Sequence, residues 1–292
     1  MVKWKALSRR EKCFRILNNL LMALIMIIML YPFWYVIVCS LSSLSHIQNT
    51  TFIMWPDGIH LESYRQVFRN ELVPTAYLNT IFITVVGTAL SILLTIIGAF
   101  CLSRRDLPGH TAMTAFVVFT MLFSGGLIPT YLLVRSLKML NTLWSVIVPT
   151  AINTYNMIIM RNFFKSVPQE LEEAATIDGA SQIQYLLRIL LPLSGASIAT
   201  ITLFYAVDYW NAYFYSLIYI TKRQLLPMQA ILRQVLMTTE IETIMYDAAV
   251  QTLPSEMLKD AMIVVTALPI ICLYPFIQRY FVKGVMVGSL KG

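Results

Sequence analysis

Pro168-Gln169-Glu170-Leu171-Glu172-Glu173-Ala174-Ala175-Thr176-Ile177-Asp178-Gly179-Ala180, closed at Leu191-Pro192, is a polar island between two long apolar segments. Acidic residues crowd its start and Gly179 stands at a natural helix stop. Ser166-Val167-Pro168-Gln169 has the spacing of a capping box with proline near the first turn. The pattern predicts a short surface helix over Glu170–Ile177 and a second helix from about Ser181, which is placed to cap it. A helix-turn-helix hung between two membrane spans suits docking into another protein and has no obvious use inside a bilayer.

The surrounding chain is that of an integral membrane protein. Of its 292 residues 58% are hydrophobic and 13% charged, with a mean hydropathy of +0.68, whereas soluble domains carry about 25% charged residues. The net charge of +7 sits at the ends of apolar segments, the pattern of topology signals and not of a nucleic-acid-binding stripe. Cys13, Cys39, Cys101 and Cys272 are scattered without a paired spacing, and His46, His60 and His110 are isolated, so neither a disulfide framework nor a metal site is expected.

About 20 apolar residues cross a bilayer. Six segments qualify, at about 17–41, 77–102, 112–133, 143–160, 194–220 and 261–281, giving an all-α polytopic fold in one membrane domain, 1–292. The first follows Lys3, Lys5, Arg9, Arg10, Lys12 and Arg15 and is too long for the apolar core of a signal peptide, so it is expected to be retained. Gly125-Gly126 and Pro129 interrupt the third segment, and Pro269 and Pro275 the sixth. Such breaks mark a solute pathway in many transporters, or are tolerated bends. Lysine and arginine placement, including Arg104, Arg105, Arg161, Lys165 and Arg188, puts both termini and the polar island (about 165–192) in the cytoplasm of a multi-pass cell-membrane protein. The outer loops, about 42–76 and 221–260, either meet a partner or cap the bundle. Within the second, Leu226–Met237 has the apolar spacing of an interfacial helix.

No Walker A spacing and no nucleophile motif occurs. No catalytic residue is expected, no cofactor on this chain, and any ATP-driven work requires a separate ATPase.

Glu173-Ala174-Ala175, Asp178-Gly179-Ala180 and Leu191-Pro192 resemble the EAA loop of permease subunits of bacterial ABC importers, the binding-protein-dependent transport system inner membrane component family. Phe123-Ser124-Gly125-Gly126-Leu127-Ile128-Pro129, Asn141-Thr142-Leu143-Trp144, Tyr209-Trp210-Asn211-Ala212 and Gln278-Arg279-Tyr280-Phe281 are similar to the maltose-type carbohydrate class, and most to LplC-type permeases. The resemblance implies a second permease subunit, two ATPase subunits carrying ATP and Mg, and an extracellular solute-binding lipoprotein. It also implies that Glu170–Ile177 enters a cleft of the ATPase, with Glu173 meeting a basic residue and Gly179 allowing the turn. The residues agree: an acidic helix start complements a cationic cleft, and Ala174 and Ala175 keep a face slim. Glu170, Glu173, Ala174, Ala175, Asp178 and Gly179 are the coupling candidates. The tail 283–292 either reaches the ATPase pair or frays. The alternative class is an ion-gradient-driven secondary transporter or channel, which lacks an ATPase partner.

Asp208 lies near the middle of the fifth apolar segment, where a charged carboxylate costs about 2.5–3.5 kcal/mol on insertion scales. At helical spacing it shares a face with Tyr205, Asn211 and Tyr215, groups that bind sugar hydroxyls and sugar faces. These four are the substrate-pathway candidates. The other reading is a structural pair with a neighbouring helix, or a protonated buried acid. Trp210, Tyr213 and Tyr219 read as an interfacial aromatic belt.

Overall fold

The computed structural model describes residues 8–50, 53–104, 106–245 and 257–272, and all regular structure among them is helical. In chain order the elements are α1 (Arg9–Leu41), α2 (Leu44–Asn49), α3 (Glu62–Arg69), α4 (Leu72–Ser103), α5 (His110–Leu122), α6 (Leu127–Ser136), α7 (Trp144–Ile147), α8 (Thr154–Ser166), α9 (Gln169–Ile177), α10 (Gln182–Tyr185), α11 (Leu191–Leu193), α12 (Gly195–Trp210), α13 (Tyr213–Tyr219) and α14 (Met228–Met245). A last helix, α15, covers 257–272. The remainder of the sixth expected segment and the basic tail lie outside the described residues.

The chain divides into two compact units, Met1–Asn70 with Val235–Ala267, and Glu71–Gln234 with Leu268–Gly292. In the first, the Ser8 hydroxyl accepts from the Glu11 N–H while the Glu11 carboxylate accepts from the Ser8 N–H. This capping box starts α1 eight residues before the expected span and holds the Glu11 carboxyl below its usual pKa. At the far end, Trp34 Nε1 donates to the Met54 carbonyl at 2.8 Å, and Ser40 and Tyr64 share a hydrogen bond of 2.7 Å. The Asp57 carboxylate accepts from the Ser43 N–H and hydroxyl.

The second unit is built on α4, against which α8 and α12 pack. Its buried positions include Ala76, Thr80, Gly87, Ser91, Thr95 and Ala99, a stripe at three- and four-residue spacing on one helix face. Small residues there let backbones approach closely, the usual basis of helix association where water supplies no hydrophobic drive. Hydroxyls on the stripe make directional bonds: Ser91 with Tyr209 at 2.9 Å and Thr95 with Tyr205 at 2.7 Å. Gly87 is where this contact is tightest, because a Cβ there would stand 2.7 Å from the Tyr209 ring. At the other end Thr80 Oγ1 accepts from the Met228 N–H at 2.8 Å, and Asn79 Nδ2 donates to the Gln224 carbonyl at 2.8 Å.

Two helices among the described residues, α1 and α4, are long and apolar enough to cross a membrane. The third expected span is not continuous: α5 and α6 meet at 108° across Phe123–Gly126, with Gly126 at φ +86°, a conformation that disfavours any side chain. The fourth breaks between α7 and α8, where Asn153 leaves the helix and caps α8 by accepting from the Asn156 N–H. The fifth stops at Asn211 and resumes as α13. Pro192, Ser194 and Gly195 accompany an 83° bend between Gln182–Leu193 and α12.

Candidate functional site

Pro168 organises the acidic island differently from the expected capping box. Proline disfavours helical backbone in the residue before it, so Val167 is extended and α8 ends at Ser166, whose hydroxyl donates to the Phe163 carbonyl. Ser166 therefore caps nothing. Pro168 holds the N-cap position of α9 without a side-chain acceptor, where its missing N–H costs least. The expected stop is present in full. Gly179 sits at φ +79°; its N–H donates to the Thr176 carbonyl at 3.0 Å and the Ala180 N–H to the Ala175 carbonyl at 2.9 Å, the paired bonds of a Schellman turn. Asp178 is the C-cap residue. Ser181 then starts α10 with a reciprocal capping box to Gln184.

The faces of α9 follow. Glu170, Glu173, Ala174 and Ile177 are exposed, and their spacing puts them on one stripe. Ile177 is 86% exposed, an unusual position for a large apolar side chain on a polar helix. Glu173 accepts a hydrogen bond from Gln169 Nε2 at 3.0 Å. Ala175 does not share that stripe: one residue on from Ala174 turns about 100° round the helix, and Ala175 is buried against its own chain.

Glu172, which sequence reasoning passed over, also turns inward. Its carboxylate pairs with Arg104, whose side chain is 14% exposed. The same guanidinium donates to Gln182 Oε1 at 2.5 Å and to Asp106 at 3.3 Å. That hydrogen bond, with the nearby positive charge, holds the Asp106 carboxyl below its ordinary pKa. Burial, and then the charge of Glu172, push the Tyr185 phenol up. Arg104 had been legible only as a topology signal, because its partners are remote in sequence. Beside it lies a cavity of about 460 Å³ lined by Lys165, Gln169, Glu172 and Tyr185 among others.

The four pathway candidates line one further cavity of about 310 Å³, together with Thr150, Asn153 and Phe214. They meet for a different reason from the one expected. Asn211 caps α12 and Tyr215 belongs to α13, so the break between the helices, and not one continuous face, brings them together. Tyr205 is a fastening residue as well as a wall: 2% exposed, with its hydroxyl bonded to Thr95 and accepting from the Asn153 N–H at 3.1 Å. Asn211 donates to the Val207 carbonyl at 2.9 Å and accepts from Gln229 at 3.3 Å. Tyr215 stacks on Tyr219, and Tyr219 on Tyr131. Asp208 is exposed on the cavity side and has no hydrogen bond or ion pair among the described residues. Trp210 and Tyr219 are buried and do not form the expected belt; the Tyr219 ring stacks against both Tyr131 and Tyr215.

The family model for the binding-protein-dependent transport system inner membrane component matches residues 111–287. The polygalacturonan/rhamnogalacturonan transport system permease protein YtcP of Bacillus subtilis is 43% identical over 268 residues, 91% of this chain and 94% of that protein. Protein LplC of the same organism is 42% identical over 286 residues, 98% of this chain and 97% of LplC. A chain from the crystal structure of a bacterial ABC transporter involved in importing the acidic polysaccharide alginate superposes with a TM-score of 0.84 at 32% identity, covering 94% of this chain and 99% of that one. Similarity of that extent, on an all-helical fold, makes this chain a member of the binding-protein-dependent transport system inner membrane component family: a multi-pass membrane permease of the ABC importer type.

Proposed function

We propose that the chain is one of two permease subunits of an ATP-driven importer of oligosaccharides, with six spans and both termini in the cytoplasm. A solute-binding lipoprotein delivers the sugar outside, and two ATPase subunits carrying ATP and Mg work inside. The sugar class is supported by YtcP and by the alginate importer; the topology is supported by the lysine and arginine asymmetry.

The observation that carries the coupling role is the exposed stripe Glu170–Glu173–Ala174–Ile177 on a helix stopped by a Schellman turn. It offers two carboxylates for a cationic rim, a methyl group for close approach, and one large apolar anchor. Asp178 and Gly179 set where the chain leaves the partner's cleft. In this reading α9 follows the ATPase pair as it closes, and the spans reorient the pathway past the Asp208 cavity. There Asp208 and Asn211 offer acceptors and a donor to sugar hydroxyls, and Tyr215 offers an aromatic face to a sugar ring. The chain breaks no bond itself.

Gly179→Asp or Glu173→Lys in the assembled importer is expected to leave insertion and assembly intact and to uncouple ATP hydrolysis from uptake. Uptake and ATPase rates are measured on one proteoliposome preparation; sugar-stimulated hydrolysis at the unaltered level in both variants refutes the coupling role.

A further inference from the structure

The hold of α9 on the rest of its own chain is slight. Ala175 is its only buried residue, and a methyl group contributes little packing. The cavity of about 460 Å³ lies along the flank formed by Gln169 and Glu172, so no side chain fills the space there. A guanidinium supplies a charged hold on the helix. Arg104 stands at the C-cap of α4, is covered except for 14% of its side chain, and lies 5.8 Å from the Phe100 ring centroid. From there it reaches Glu172 on α9, Gln182 at the first residue of α10, and Asp106 in its own loop. It thus binds both limbs of the helix-turn-helix to the end of one long helix. Only arginine has a planar fork of five donors for such a task; a lysine ammonium is a point charge on a flexible stem. An exposed pair would contribute little, but this one is largely covered and shared among three partners.

We propose that Arg104 and Glu172 are positioning residues that make α9, α10 and α4 a single rigid body, so that any displacement of α9 is delivered to α4. This rests on the reading of α9 as the ATPase-docking helix. α4 in turn carries Ser91 and Thr95, bonded to Tyr209 and Tyr205 in the wall of the Asp208 cavity. The clamp therefore joins the docking surface to the helix that frames the pathway.

The test uses the full importer in nanodiscs, on a background lacking the four cysteines, with spin labels at the exposed Leu171 on α9, which lies outside the docking stripe, and at the exposed Ile97 on α4. With the clamp intact, the distance is narrow and unchanged when Mg–ATPγS is added. Arg104→Gln and Glu172→Gln are each expected to raise the share of displaced conformers about tenfold and to make the distance nucleotide-dependent. The double variant is expected to be no worse than Arg104→Gln alone, since Glu172 loses its partner with the guanidinium, and Arg104→Lys to recover part of the effect. Glu172→Gln is nearly isosteric, which keeps a folded variant available. A second arm cross-links Ile177→Cys to the ATPase. Absence of the cross-link in the otherwise unaltered importer overturns the docking reading, and with it the clamp's role. A cross-link that forms, with a distance that stays narrow and nucleotide-independent in both clamp variants, overturns the clamp alone.

Discussion

Gly87→Ala tests the packing that holds the pathway wall together. The added Cβ would stand 2.7 Å from Tyr209 Cζ and 2.8 Å from both Cε atoms, where carbon atoms prefer about 3.5–4.0 Å. Ring and helix must therefore part by about 0.8 Å or more. The ring cannot swing aside freely: it is 3% exposed, and its hydroxyl bonds to Ser91 at 2.9 Å and to the Ile147 carbonyl at 3.2 Å. Overpacking costs about 1–3 kcal/mol, and stretching a buried hydrogen bond past its useful range adds about 1 kcal/mol. The substitution is thus expected to destabilise by about 2–4 kcal/mol, a fall in melting temperature on the order of 5–10 °C for a chain of this size. The assay is thermal unfolding of the detergent-solubilised importer, followed by size-exclusion chromatography of the fluorescently tagged permease. Repeating the substitution in a Tyr209→Leu background removes the obstacle. There the better helix propensity of alanine remains, so the same change becomes neutral or stabilises by up to about 1 kcal/mol. Equal destabilisation in both backgrounds, or none in the unaltered chain, refutes the argument.

Asp208→Asn is expected to favour acidic over neutral oligosaccharides in competitive uptake by roughly tenfold, because an exposed, unpaired carboxylate repels a uronate carboxylate at close range by about 1–2 kcal/mol once water screens the pair. An unchanged ratio refutes a pathway role for the charge. Asn141 sits at φ +58° and its Oδ1 accepts from the Thr221 N–H, the Thr221 hydroxyl and the Lys222 N–H at 2.7, 2.9 and 3.2 Å. Asn141→Gly keeps the backbone conformation but loses these bonds, so trypsin cleavage after Lys222 or Arg223 is expected to quicken by roughly tenfold, as for about 1.4 kcal/mol of lost local stability. Cleavage at the unaltered rate shows that the backbone alone holds the segment.

The acidic island was readable because its signals are local. A glycine that ends a helix, a serine that starts one and a run of carboxylates at a helix start all act within one turn, and Gly179 and Ser181 do in the structure what the sequence predicts, with Gln184 completing the cap of Ser181. Ser166 shows the limit of the same logic. Its spacing fits a cap, but Pro168 fixes the backbone two residues later and a serine already inside α8 has no free register. Hydropathy located the apolar segments yet averaged over their interruptions, so the right-angled break at Gly126 and the stop at Asn211 were visible only as residue types. Arg104 illustrates what was beyond reach: Glu172 and Gln182 come to it through the path of α4 and α8, and no spacing in the sequence records that meeting. Likewise, Tyr205 looked like a pathway residue by helical arithmetic, while its bond to Thr95 depends on which face of α4 it meets.

Both candidate sites depend on α4, and this constrains how one can influence the other. Coupling between distant sites needs a physical element whose position both ends bias. At about 1.5 Å per residue, the stretch of α4 from Ser91 and Thr95, bonded to the cavity wall, to Arg104 at its C-cap covers about 14–20 Å. Its two attachments are of opposite kinds. Near the cavity, small residues and buried hydroxyl bonds fasten α12 along several turns, so slippage there would break many contacts at once. At Arg104 the attachment is a few charge-assisted bonds beside an open cavity. A link of that kind is directional and strong when its geometry is kept, so it can pass a displacement of α9 on to α4 without a packed interface between them. The helix that must meet a second protein is thus held by polar bonds, while the helix that shapes the pathway is held by close packing.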